Sequence, residues 1–363
     1  MKIMTPHLGN TYLVTKAVFD TLGIDYIIPE FNSKKSLEIG SMYSPDDMCL
    51  PFKLMMGNYI QGIEQGADTI IITGSCGPCR YGEYCELQIN TLKKLGHNLN
   101  FIVLDKPSEI GAKEFLNRIY SISSSSNKNM PQKLNALRIG FKVLNLIDKI
   151  EAKAHYLAGY EKNKNECKKL LSNCKIDAEN SNSPNDMIKI LNKYDKRLDS
   201  LAICSDRNPI KVAIIGEIYT IIEPFSNLFI EDKLMEYGVS TQRKLTPSWW
   251  AKNSIMSVVG MNSLDIRKAS KEYLPLYIGG HARECIGEAV MAAHDGFDGA
   301  IQIFPMGCMP EIVCKAVLPS ISKDKNFPIL TLVVDEMTGE TGYITRIEAF
   351  LDLLERRKQK CII

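Results

Sequence analysis

Six of the eleven cysteines sit in contexts where thiols do chemistry. Cys76 and Cys79 form a C-x-x-C pair in Thr73-Gly74-Ser75-Cys76-Gly77-Pro78-Cys79-Arg80-Tyr81-Gly82, and Cys85 lies six residues after Cys79. Cys308 falls in Phe304-Pro305-Met306-Gly307-Cys308-Met309-Pro310-Glu311, with Cys314 six residues further on. Cys49 precedes Leu50-Pro51. Proline opens helices well, so Cys49 and Cys308 are expected just before helix N-termini, where unpaired N–H groups favour a thiolate. Gly74, Gly77, Gly82 and Gly307 would let the backbone approach a bulky group and offer N–H donors to its sulfurs.

Two simpler readings compete. A C-x-x-C after a strand also suits a thiol–disulfide motif, but such motifs open a helix directly, and here Arg80-Tyr81-Gly82 is expected to intervene. Zinc would want a second C-x-x-C or histidines at ligand spacing, and neither is present. An all-thiolate set in glycine-rich surroundings suits an iron–sulfur cluster better. Cys167, Cys174, Cys204 and Cys361 read as core or exposed residues, and Cys285 as helical and packed.

Composition narrows the class. With 45% apolar and 24% charged residues over 363 positions, the chain is globular and too long for one ordinary core. The net charge of +2 gives no reason to expect nucleic acid. No apolar run approaches the roughly 18 residues of a membrane span. The first ten residues lack a signal core, and Cys361, third from the end, does not make a prenylation box. The chain is expected to be cytoplasmic, where an odd number of cysteines does not make a disulfide framework.

The elements that must position these thiols alternate. Strands are predicted at 2–5, 23–29, 69–73 and 101–105, with helices at 11–22, 51–65 and 84–95 between them. Residues 123–129 read as a loop, and 131–201 as helices broken at Asn180-Ser181-Asn182-Ser183-Pro184. Strands return at 211–216, 299–304 and 328–335, with helices at 224–237, 283–293 and 346–357; 274–278 is a strand or a linker. This predicts two doubly wound parallel-sheet units of one architecture: residues 1–120, a helical insert or bridge at 121–208, and residues 209–363. Glu217, Glu223, Glu311 and Glu336 fall at strand ends, where carboxylates either move protons or edge the solvent. There is no P-loop and no G-x-G-x-x-G after a strand. Gly279-Gly280-His281 opens a predicted helix, as an anion site or a tight turn.

Several blocks in order resemble the iron–sulfur proteins of the 2-hydroxyacyl-CoA dehydratase and CoA-enzyme-activase group. They are Cys49-Leu50-Pro51-Phe52-Lys53, Cys76-Gly77-Pro78-Cys79-Arg80-Tyr81-Gly82, Gly216-Glu217-Ile218-Tyr219, Glu223-Pro224-Phe225, Gly279-Gly280-His281, Cys308-Met309-Pro310-Glu311, Asp335-Glu336 and Thr338-Gly339-Glu340. The resemblance implies Rossmann-like domains with a cluster in the cleft between them. It implies low-potential electrons from a separate ATP-hydrolysing activase, used on a small molecule or an acyl-CoA, and a homodimer or a related subunit. A cluster-carrying or activase-docking accessory protein is the alternative. Cys49, Cys76, Cys79 and Cys308 match the family blocks. Cys85 and Cys314 are additions: with them six thiols would hold a double-cubane [8Fe-9S] cluster, and without them four would complete one [4Fe-4S].

Overall fold

The computed structural model describes residues 1–74, 79–105, 110–257 and 260–360. The fold is α/β, with two separate four-stranded, all-parallel sheets. The chain divides into two compact units, Met1–Asp148 with Cys174–Lys193 and Pro247–Asn262, and Lys149–Asn173 with Tyr194–Thr246 and Ser263–Ile363.

In the first unit the strands are β1 (Ile3–Met4), β2 (Tyr26–Ile27), β3 (Thr69–Thr73) and β4 (Asn100–Leu104), in the order β2-β1-β3-β4. The run Thr69-Ile70-Ile71-Ile72 is buried throughout, as expected of a β-branched strand covered on both faces. Helix α1 (Thr11–Leu22) ends on Gly23 in the left-handed conformation. Phe19 and Leu22 of α1 pack with Ile3, Ile24 and Ile71. Helices α2 (Lys34–Met42) and α3 (Leu50–Glu64) cross in close contact. A Cβ on Gly40 would lie 1.7 Å from the Lys53 carbonyl oxygen, and one on Gly57 2.0 Å from that of Ser36. That contact sets where α3, and hence Cys49 at its start, can lie. Helices α4 (Tyr81–Lys94) and α5 (Ala112–Ile122) flank β4. Then come α6 (Met130–Leu157), α7 (Glu166–Glu179) and α8 (Pro184–Asp199), with the predicted break at Asn180-Ser181-Asn182-Ser183-Pro184 falling between α7 and α8 and its proline opening α8.

The second unit repeats the order as β6-β5-β7-β8, with β5 (Lys211–Gly216), β6 (Ser240–Gln242), β7 (Gly299–Pro305) and β8 (Ile329–Val334). The three-residue β6 was not predicted; Ser-Thr-Gln carries no apolar signature. The helix read over 224–237 is shorter. After α9 (Ile218–Ile222) the chain turns, with Leu228 and Phe229 at positive φ, before α10 (Ile230–Glu236). Residues 274–278 form a linker, with Leu276 and Tyr277 exposed. Helices α11 (Pro247–Ser257), α12 (Leu264–Ser270), α13 (Ala282–His294), α14 (Met309–Asp324) and α15 (Glu340–Lys360) complete the chain, α11 belonging to the first unit. The α12–α13 pair repeats the α2–α3 crossing: a Cβ on Gly287 would lie 2.7 Å from the Ile266 carbonyl oxygen. No helix among the described residues is long and apolar enough to cross a membrane.

Candidate functional site

In each sheet the connections diverge between the two central strands, β1 and β3 or β5 and β7. Ligands of doubly wound sheets bind beyond the carboxyl ends at such a point. Of the predicted ligand set, Cys49 and Cys308 stand directly before helices α3 and α14, Cys79 lies two residues before α4, and Cys85 and Cys314 lie within α4 and α14.

In the first unit Cys49 is the N-cap of α3, with extended backbone and Pro51 as the second helical residue. Its thiol touches the Tyr84 hydroxyl. The loop before it is held at two points. Lys53, buried in α3, donates its ammonium to the Asp46 carbonyl at 3.2 Å, and the Arg80 guanidinium donates to the Asp47 carbonyl. Arg80 follows Cys79, so this contact ties the segments that carry the two cysteines. Tyr84 packs edge-on to Phe52 and tilted against Tyr81, both with centroids 5.1 Å apart; the Tyr81 hydroxyl meets Thr73 at the end of β3. Sequence reasoning did not single out Tyr84. Its signal is the spacing Tyr81-x-x-Tyr84, which places both rings on one helical face.

Helix α4 begins at Tyr81, three residues earlier than predicted. Arg80-Tyr81-Gly82 therefore does not separate Cys79 from a helix, and the distinction from a helix-opening dithiol is smaller than the sequence suggests. Cys76 and Gly77 lie outside the described residues. The glycines have other work where they are described. A Cβ on Gly74 would fall 1.9 Å from the Asp105 carboxylate, which pairs with Arg118. The Gly82 N–H donates to the Cys79 carbonyl at 3.0 Å. Cys85 lies in α4, half-buried; burial first, and the nearby Asp105 next, push its thiol up. Close by, the Tyr59 hydroxyl is buried without a hydrogen-bond partner among the described residues.

In the second unit Cys308 is the N-cap of α14, again with Pro310 as the second helical residue. Its N–H closes a turn onto the Pro305 carbonyl at 3.1 Å, and Gly307 supplies the positive φ, 78°, at the third place of that turn. The Gly279-Gly280-His281 loop packs here: Gly280 has φ 54°, and a Cβ on it would sit 2.7 Å from Pro310 Cγ. This loop is a tight turn that brings the start of α13 to the start of α14.

Glu217 is a cap rather than a bare proton carrier. Its carboxylate accepts from the N–H groups of Tyr219 and Thr220 at 2.9 and 2.8 Å, and burial still pushes it up. Glu223 is buried at the end of α9, and Glu336 is exposed after β8. Glu311 is 1% exposed, and burial raises its carboxyl to about 7. Its Oε2 accepts from Gln302 Nε2 at 2.9 Å, and Gln302 Oε1 accepts from Thr331 at 3.0 Å.

Residues 7–244 match the family model described as the CoA enzyme activase uncharacterised domain. The chain belongs to this family. No curated protein matches it. The match spans Cys49, Cys76, Cys79 and Cys85 and ends before α13 and α14. Within this activase-family chain, then, Cys308 and Cys314 lie beyond the matched residues.

In that remaining part, Cys314 is not directed to the start of its helix. It is fully buried where α14 packs on α13, and its thiol donates to the Ala282 carbonyl at 3.4 Å. Cys285 of α13, also fully buried, and Glu311 lie beside it: the two sulfurs and a carboxylate oxygen are all within 4.8 Å of one another. Cys285 is helical and packed, as its sequence context suggests. None of the described cysteines is in a disulfide. A groove of about 590 Å³ lies elsewhere, at the amino end of β8 beside Phe350 and Arg357.

Proposed function

We propose that this activase-family chain is an iron–sulfur protein that accepts low-potential electrons from a separate ATP-hydrolysing activase. The observation that carries the reading is the pair of N-cap cysteines, Cys49 and Cys308, each followed two residues later by proline at the carboxyl edge of a parallel sheet. The donors suit the group. Each thiol sits where helix N–H groups favour the thiolate, and thiolates are the ligands iron–sulfur clusters take. Cys49, Cys76, Cys79 and Cys308 would hold it, and a bound [4Fe-4S] cluster supplies one-electron transfer.

The chain's own residues serve that role. The Tyr84 hydroxyl offers a hydrogen bond to the Cys49 sulfur, and such bonds to ligand sulfur tune a cluster's potential. The Phe52, Tyr81 and Tyr84 rings keep water from one side. Lys53 and Arg80 fix the loop that presents Cys49.

The placement of Cys314 against Cys285 favours four thiols over six. Four thiols saturate one cluster, which makes this chain an electron carrier for its partner reaction. A six-thiol set, with Cys85 and Cys314, would instead hold a double cubane and reduce a substrate directly. Anaerobic purification with iron and acid-labile sulfide analysis tests the proposal: about four irons per chain fits the carrier, about eight the double cubane. A colourless, iron-free and fully folded protein rejects both. Reduction of the chain by an activase only when ATP is present tests the partner.

A further inference from the structure

Cys285, Glu311 and Cys314 pose a problem that packing alone does not solve. The two cysteines sit in an apolar cluster with Ala282, Ile286, Ala289 and Leu318, where thiols pass for small hydrophobic residues. Glu311 does not belong in such a place. The Cys285 thiol meets its carboxyl, yet its Oε1 is buried with no well-formed hydrogen bond among the described residues. A buried polar atom left unsatisfied destabilises the fold, more so if charged. Yet the side chain is held in position. Gln302, fully buried on β7, binds Oε2 through its amide, and Thr331 on β8 fixes Gln302 in turn. A relay that orients a carboxylate toward two sulfurs is what surrounds a metal ligand.

We propose that Cys285, Cys314 and Glu311 form a zinc site that clamps α13 to α14. Three donors within 4.8 Å of one another match the spread of ligands around one tetrahedral ion. Two sulfurs exclude magnesium and calcium, which take oxygen, and select a thiophilic dication. The Ala282 carbonyl, already the acceptor of the Cys314 thiol, is the oxygen at hand for the fourth position. Binding is pure coordination: the ion displaces two thiol protons and the Glu311 carboxyl proton to solvent, with no change of oxidation state. The ion gives Oε1 a partner and neutralises most of the charge that burial disfavours. Its structural effect falls on the start of α14, where Gly280 abuts Pro310 and Cys308 caps the helix. The site does not rest on the iron–sulfur reading.

The test uses the full chain, purified anaerobically, with zinc or cobalt(II) as probe. To keep the probe from the other thiols, it is repeated in Cys76→Ala/Cys308→Ala. Both proteins should retain about one equivalent of zinc after desalting. With cobalt(II), both should show thiolate-to-metal charge transfer and the visible bands of a tetrahedral ion. Glu311→Gln should weaken binding by about 10–100-fold. Cys285→Ser/Cys314→Ser should abolish it, and Cys174→Ser should leave it unchanged. Should the cysteine variants fail to fold, zinc added to the intact metal-free chain must release protons and raise its melting temperature. No retained ion, no zinc-dependent rise in melting temperature, or undiminished binding in Cys285→Ser/Cys314→Ser would overturn the proposal, whatever the iron content.

Discussion

Cys49 and Cys308 share one local geometry at two different places in a duplicated fold. Each is a helix N-cap with extended backbone, φ −71° and −72°, and proline two residues on. But α3 precedes its central strand β3, whereas α14 follows β7. The counterpart of Cys49 in the second unit is His281, the N-cap of α13. The counterpart of Cys308 is the segment between β3 and α4, which carries Cys76 and Cys79. The duplication extends to spacing, since Cys85 follows Cys79 by six residues, as Cys314 follows Cys308. Within its own unit, then, Cys49 caps the helix before a central strand and Cys308 the helix after one.

Cys76→Ala and Cys308→Ala are each expected to lose most bound iron and sulfide, while Cys174→Ala, buried in α7, keeps both. Iron and sulfide analysis of the three anaerobically purified variants checks this. Equal iron in all three rejects the ligand set.

Tyr84→Phe removes the hydroxyl beside Cys49 but keeps the ring packed on Phe52. The cluster should still assemble, and its midpoint potential should fall as the anionic thiolate loses a donor. Redox titration followed by electron paramagnetic resonance reads the shift; an unchanged potential removes Tyr84 from the site.

Gly57→Ala separates two opposing effects. Alanine gains about 1 kcal/mol of helix propensity over glycine, as Gly342→Ala near the start of α15 should show, having nothing within 4 Å of its Cβ. At Gly57 the Cβ meets the Ser36 carbonyl at 2.0 Å, and backbone cannot swing aside. Overpacking of this kind costs about 1–3 kcal/mol, so Gly57→Ala should destabilise while Gly342→Ala stabilises. Denaturant titration of both decides.

A buried ion network in the second unit should set a pH dependence. His155 Nδ1 lies 3.1 Å from Glu231, and Arg243 bridges Glu231 and Glu151 at 3.1 and 2.9 Å. Burial alone would lower the His155 pKa, but the Glu231 carboxylate outweighs it and holds the value above 6.5. The stability that His155 contributes is therefore complete below pH 6.5 and is lost as pH rises through the raised value. Glu231, held below its ordinary 4.5 by Arg243 and His155 against the effect of burial, works oppositely and loses its contribution as pH falls. His155→Gln should flatten the fall in thermal stability as pH rises above 6.5. An identical slope in the variant excludes His155 as its source.

Arg243→Ala removes the buried cation that bridges the largely buried Glu151 and Glu231, leaving Glu231 only His155, and should cost about 3–5 kcal/mol. Lys168→Ala, which breaks half-exposed pairs with Asp232 and Glu236, should cost less than about 1 kcal/mol. Chemical denaturation of both variants measures the contrast.

Apolar runs such as Thr69–Thr73 and Gly299–Pro305 are covered on both faces, so their strand identity and parallel pairing could be read directly from residue type. Pro51 and Pro310 likewise announced the helix starts that Cys49 and Cys308 cap. Short polar elements were not legible: β6 and the α2–α3 crossing depend on partners distant in the chain. The same holds for Cys285, Glu311 and Cys314. Along the chain they are a packed cysteine, a strand-end acid and an extra thiol, with Cys285 distant from the other two. Glu311 and Cys314, three residues apart on α14, share one helical face, but only the packing of α13 on α14 brings Cys285 beside them, because residues on separate helices become neighbours through the burial of both helices' apolar faces, which sequence order does not encode.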